Sequence, residues 1–167
     1  DLKLGGIRLT AERFGAKVPT FAMTSFATDG EIRSMLEKLQ NPAVPAQAFA
    51  QFVSLRLRSD GELFRDGLQI SPYAPGHGDL SFALRKSGVL KAFIQGGGRV
   101  LYMSNVDNLA ATLDPAVIGA HLASGRAVTA EVVSKDPGDA GGAPARVDGT
   151  LQIVESFRFP KDFDERV

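Results

Sequence analysis

The chain has 167 residues, and its 19 Lys+Arg balance its 19 Asp+Glu, so no basic excess marks it for duplex nucleic acid. Apolar residues make up 44% and charged residues 23%, the balance of an ordinary globular protein of about one domain. Cysteine is absent, which excludes disulfides, thiolate nucleophiles and cysteine-ligated metals, and no apolar run reaches the ~20 residues of a membrane helix. No charged-then-apolar leader opens the sequence, so the natural reading is a cytoplasmic protein. The start at Asp1 without an initiator Met, and the stop at Val167 within a charged stretch, read as a piece of a longer protein.

In chain order, Thr10 to Gly15 suits a helix ending on glycine, and Val18 to Met23 is a short apolar run that suits a buried strand. Thr28 and Glu31 have the spacing of a capping box. Ile32, Met35, Leu36 and Leu39 then fall on one helical face, and Asn41-Pro42 stops it. Ala48 to Leu57 reads as extended, with a turn at Ser59-Asp60-Gly61. Pro72 to Gly78 is a Pro/Gly loop, and Asp79 is placed to cap a helix running through Lys86. Val100 to Met103 is apolar at four successive positions, the pattern of a central strand covered on both faces. In that setting Leu101→Ala is expected to cost about 2–5 kcal/mol. Asp114-Pro115 opens a helix that Gly125 closes, Val128 to Val133 reads as a strand, and Asp148-Gly149 marks a hairpin turn within Arg146 to Phe157. This alternation predicts an α/β fold: one domain over residues 1–167, with a twisted, largely parallel sheet and helices on both faces.

Ligands of open α/β sheets bind at the carboxyl ends of the strands, and two polar clusters fall there. In Pro75-Gly76-His77-Gly78-Asp79 the glycines let backbone N–H groups approach a phosphate, and His77 projects without bulky neighbours. The same residues also make an ordinary turn followed by a helix cap. In Ser104-Asn105-Val106-Asp107-Asn108, Asn105 and Asp107 share a side if strand geometry persists, and a carboxylate there suits magnesium shared with phosphates. An Asx turn closing the strand explains that segment equally well. Gly96-Gly97-Gly98 precedes a strand pattern and reads as a plain loop, Gly141-Gly142 sits in a polar loop, and His121 reads as structural or surface. No nucleophile elbow, zinc pattern or P-loop is present.

Taken together, these segments resemble the UTP–glucose-1-phosphate uridylyltransferase family. Pro75-Gly76-His77-Gly78-Asp79 is similar to its Pro-Gly-His-Gly-Asp loop, and Ser104-Asn105-Val106-Asp107-Asn108-Leu109 to its Ser-Asn-x-Asp-Asn-Leu strand end. Val18-Pro19 with Met23-Thr24-Ser25-Phe26, Ser87-Gly88-Val89-Leu90, and Gly141-Gly142 with Leu151 to Glu155 follow the family's order and spacing. Ala74 stands where many members have Pro.

The resemblance implies a Rossmann-like, GT-A-like nucleotidyltransferase domain with a mixed, mostly parallel sheet. Its implied reaction joins UTP and glucose-1-phosphate into UDP-glucose and pyrophosphate, with magnesium. It also implies roles for single residues. Gln51 would read the uracil edge, Met23 would line the base, and Gly76 would present its backbone to the nucleotide. His77 would contact the sugar phosphate. Asn105, Val106 and Asp107 would face ribose and phosphates, with Asp107 holding Mg²⁺ and His77 and Asp107 serving catalysis. The family's glycine-rich loop would precede Asp1, and its active-site Lys and sugar-contacting Asn segment would follow Val167. This piece alone is therefore expected to be inactive. UDP-N-acetylhexosamine and broad-specificity UDP-sugar pyrophosphorylases remain alternatives, as does a non-catalytic nucleotide-binding domain. Oligomeric state is not legible.

Overall fold

A computed structural model describes residues 2–136 and 141–161. The chain divides into two compact units, residues 1–120 and 121–167.

The first unit opens with α1 (Leu2–Arg13), which begins eight residues before the expected Thr10 and runs through Gly5-Gly6. It ends as the sequence suggests. Gly15 takes φ +58, and the N–H groups of Ala16 and Gly15 donate to the carbonyls of Ala11 and Glu12, a Schellman close. Next come β1 (Thr20–Thr24), α2 (Asp29–Lys38) and β2 (Ala46–Ala50), and β1 and β2 pair in parallel with Thr20 opposite Ala46 and Thr24 opposite Ala50. A parallel pair needs a crossover, and α2 supplies it. The expected capping box does not form. Thr28 is already helical at φ −115, ψ −9, and its hydroxyl turns back to accept from the Ser25 N–H at 3.1 Å. Asp29 and Glu31 instead place negative charge in the first turn, which favours the helix dipole. Beyond α2 the Asn41 Oδ1 accepts from the Ala43 N–H at 2.8 Å, an Asx turn that redirects the chain into β2.

Residues 54–73 form a small meander. The strand pair β3 (Ser54–Leu55) and β6 (Pro72–Tyr73) is antiparallel, as is the hairpin β4 (Arg65–Asp66) with β5 (Gln69–Ile70). The expected extended segment Ala48 to Leu57 is thus split at residues 51–53, while the turn at Ser59-Asp60 forms before Gly61 at φ +87. Backbone bonds from Phe64 to Arg56, from Arg56 to Ser71 and from Ser71 to Phe64 stitch the meander together.

A 3-10 turn (His77–Asp79) leads into α3 (Leu80–Lys86), and Gly88 at φ +81 makes the break before α4 (Val89–Gln95). Phe49, Ala83, Leu84 and Val89 form the buried core, with Phe21, Met23, Leu80 and Leu90 packed against it. Alternation explains the membership. Met23 lies opposite Phe49 in the ladder, and Phe21 is two positions away, so all three share the face that α3 and α4 cover. Phe21 and Phe93 meet edge to face at 5.7 Å.

Two expected strands are absent. Residues 100–103 and 128–133 belong to no ladder, and Leu101, Met103, Val128, Val132 and Val133 are exposed. Strand propensity alone does not hold an extended segment; it needs a neighbouring strand, and no described strand pairs with either segment. The described sheets are four two-stranded pairs, of which only β1–β2 is parallel, so a broad parallel sheet is not what these residues form. Leu101 is 46% exposed, which removes the basis for a core-sized penalty at that position in the 167-residue chain.

α5 (Pro115–Ser124) runs as its signals indicate. Asp114 Oδ1 accepts from the Ala116 N–H at 2.8 Å, and Gly125 closes the helix at φ +62. In the second unit, β7 (Ala143–Val147) and β8 (Thr150–Val154) form the expected hairpin. Asp148 and Gly149 take φ +48 and +78, the left-handed pair that a tight hairpin turn demands. His121 Nδ1 lies 2.8 Å from Thr129 Oγ1, in keeping with a structural role. The fold is mixed α/β, and among the described residues no helix is long and apolar enough to cross a membrane.

Candidate active site

The carboxyl ends of β1 and β2 carry the first cluster. The Gln51 N–H donates to the Thr24 carbonyl at 2.8 Å, which carries the parallel ladder one step beyond β2. From there the Gln51 side chain reaches the glycine turn, where its Oε1 accepts from the Gly76 N–H at 2.9 Å. Two residues singled out separately in the sequence are therefore in contact. Gly76 adopts φ +89, ψ −159, a conformation glycine alone adopts readily, so the turn needs glycine there. That N–H, expected to point at a nucleotide, is bonded to Gln51 instead.

His77 follows on the 3-10 turn, exposed, and its imidazole makes no hydrogen bond among the described residues. Met23 sits one residue before the end of β1, half-buried against the core. Asp79 departs from expectation. It occupies the residue before α3, yet its side chain makes no cap bond; Oδ2 accepts from the Phe52 N–H at 2.6 Å. Phe52 is also covered by Lys86, whose Nζ lies 4.3 Å from the ring centroid. The loop after β2 is thus fastened to both ends of α3.

Asn105, Val106 and Asp107 lie on a second, exposed segment. The strand geometry invoked to align Asn105 with Asp107 is absent, because residues 101–105 belong to no described strand. A turn is present instead: the Asn108 N–H donates to the Asn105 carbonyl at 3.3 Å, and the Ala111 N–H donates to Asn108 Oδ1 at 3.1 Å. Lys3 of α1 donates to the carbonyls of Asn108 and Ala111, pinning this turn from across the first unit. No sequence signal pointed to Lys3 or to the Asp79–Phe52 bond, since both join residues far apart in the chain. No hydrogen bond links the two clusters among the described residues.

The Asp107 carboxylate is exposed and makes no hydrogen bond or ion pair among the described residues, so both oxygens are available. No group of three or more His, Cys, Asp or Glu gathers among the described residues. A lone carboxylate does not cage a metal. It does suit a hard cation whose other ligands are water and substrate phosphates, and the donor chemistry fits magnesium in that sense.

The sequence profile of the UTP–glucose-1-phosphate uridylyltransferase family matches residues 1–166. The chain is 33% identical to UTP–glucose-1-phosphate uridylyltransferase 2 of Dictyostelium discoideum, over 96% of this chain and 33% of that protein. It is 31% identical to UTP–glucose-1-phosphate uridylyltransferase of Saccharomyces cerevisiae, over 97% of this chain and 34% of that protein. The corresponding enzyme of Astragalus penduliflorus is 30% identical, with 97% of this chain and 36% of that protein covered. The chain therefore spans about a third of the length of the curated relatives it matches.

Proposed function

The chain belongs to the UTP–glucose-1-phosphate uridylyltransferase family, and from that premise we propose that it supplies the nucleotide-facing part of an active site making UDP-glucose. In the reaction, an oxygen of glucose-1-phosphate attacks the α-phosphorus of UTP, and the bond from that phosphorus to the bridging oxygen breaks. Pyrophosphate leaves with the electron pair. Such a transfer requires positioning and charge neutralisation more than covalent help from the protein.

The observation that carries the reading is the Gln51–Gly76 contact at 2.9 Å beyond the ends of β1 and β2. It sets a side-chain amide and a glycine turn together where α/β sheets bind nucleotides. Gln51 takes the base edge, Met23 lines the base, and Gly76 holds Gln51 in place through the N–H it donates to Oε1. His77, exposed on the adjoining turn, donates to the sugar phosphate. Asn105, Val106 and Asp107 face ribose and phosphates, and Asp107 holds magnesium. When bound, that ion supplies positive charge against the phosphate oxygens. The fold proposed for the complete site is a single Rossmann-like domain with a mixed, mostly parallel sheet, in which β1–α2–β2 is one βαβ unit.

The test is pyrophosphate release by the full-length protein with UTP, magnesium and glucose-1-phosphate, beside Asp107→Ala. Turnover that falls by at least about 100-fold in the variant is the expected result. A protein that releases none with glucose-1-phosphate, galactose-1-phosphate or N-acetylglucosamine-1-phosphate is a binding module, and the proposal fails.

A further inference from the structure

We infer that Asp79 is a positioning residue for the nucleotide base, acting through the Phe52 backbone and Gln51; the inference rests on the uridylyltransferase reading. Residues 51–53 lie between β2 and β3 and belong to no strand, so their course is set by a few bonds. The Phe52 N–H has no ladder partner, and the Asp79 carboxylate satisfies it at 2.6 Å, a short charge-assisted bond. Lys86 holds the Phe52 ring from the other end of α3. Immediately before Phe52, Gln51 is fixed at its own N–H by Thr24 and at its side chain by Gly76.

The side-chain bond also sets the chemistry that Gln51 presents. A backbone N–H can only donate, so the Gly76 N–H must meet the oxygen of the Gln51 amide. That bond turns the oxygen toward the glycine turn and leaves the amide nitrogen, with its two donors, without a partner among the described residues. Held this way, Gln51 presents its donors to a base that offers an acceptor such as a carbonyl oxygen. Asp79 also braces the other side of the contact, since its backbone N–H donates to the Gly76 carbonyl at 3.1 Å. Removing the carboxylate releases Phe52 and lets Gln51 drift, while the backbone bond to Gly76 stays.

In the full-length protein, Asp79→Ala is expected to raise KM for UTP roughly tenfold, the factor carried by one charge-assisted hydrogen bond, with kcat and KM for glucose-1-phosphate within about twofold of wild type. Asp79→Asn, which keeps an oxygen acceptor for the Phe52 N–H, restores most of the loss. On a Gln51→Ala background the Asp79→Ala change adds nothing, because both act on one contact. A loss of kcat alone, an unchanged KM for UTP, or effects that multiply independently of Gln51 would each overturn the inference while leaving the proposed function standing. A wild-type protein without uridylyltransferase activity overturns both.

Discussion

Asp29 joins the end of β1 to the first turns of α2. The Arg33 Nε donates to its Oδ2 at 2.7 Å and the Thr24 hydroxyl donates to its Oδ1 at 2.6 Å. Together these bonds, Arg33 first, hold the Asp29 carboxyl below its ordinary value of 3.8. The folded protein thus binds this proton more weakly than the unfolded chain. The resulting stability is fully present above pH 3.8 and is lost as the pH falls below that value through the lower, folded one. Because the pair is partly exposed to solvent, its worth is modest. Asp29→Asn keeps an oxygen for Thr24 and removes the charge. It should lower stability at pH 7 by about 0.5–1 kcal/mol, with the gap to wild type closing below pH 3.8. Thermal melts from pH 2 to pH 7 check this; a gap that stays constant across the range would show that the charge is not the cause.

At the scale of elements, the β1–α2–β2 unit and the α3–α4 pair depend on one aromatic side chain. Phe49 is 3% exposed and joins Ala83, Leu84 and Val89, with Met23 opposite it in the ladder. Phe49→Ala should cost about 3–5 kcal/mol, read as a shift of the urea unfolding midpoint at unchanged slope. A cost below about 1 kcal/mol would mean that β2 is not anchored there. The elements the sequence made legible are those with local signals. Asp114-Pro115 and Gly125 frame α5, and the left-handed Asp148-Gly149 pair closes the β7–β8 hairpin. What stayed hidden depends on partners distant in sequence. The meander is held by bonds among Arg56, Phe64 and Ser71, and the Val100 to Met103 pattern could not show that no neighbouring strand pairs with it among the described residues. The site divides the same way. The glycine turn could be picked out by motif and Gln51 only through the family resemblance, but their contact, and the diversion of Asp79 from helix cap to Phe52, are tertiary facts.

For the whole molecule, the exposed apolar segments carry the argument. Leu101 and Met103 are 46% and 64% exposed, and Val128 and Val133 are 78% and 86% exposed, within a chain spanning about a third of its relatives' length. A run apolar on both faces costs free energy where water meets it and is the pattern of a strand covered on both sides. A Rossmann-like sheet of the kind proposed would supply that cover if residues 100–103, outside any ladder here, paired as a central strand in the full-length protein. The two settings predict different energetics for one substitution. In the 167-residue chain Leu101→Ala should change stability by no more than about 0.5 kcal/mol, as surface changes do. In the full-length protein the same change should cost about 2–5 kcal/mol, the range for a leucine truncated in a packed core. Denaturant unfolding of both forms makes the comparison. A small cost in both would remove residues 100–103 from any central strand, and with it the argument that strand geometry aims Asn105 and Asp107 at one ligand. A large cost only in the longer form would place the polar turn at the carboxyl end of a covered strand, where a nucleotide site of this architecture lies.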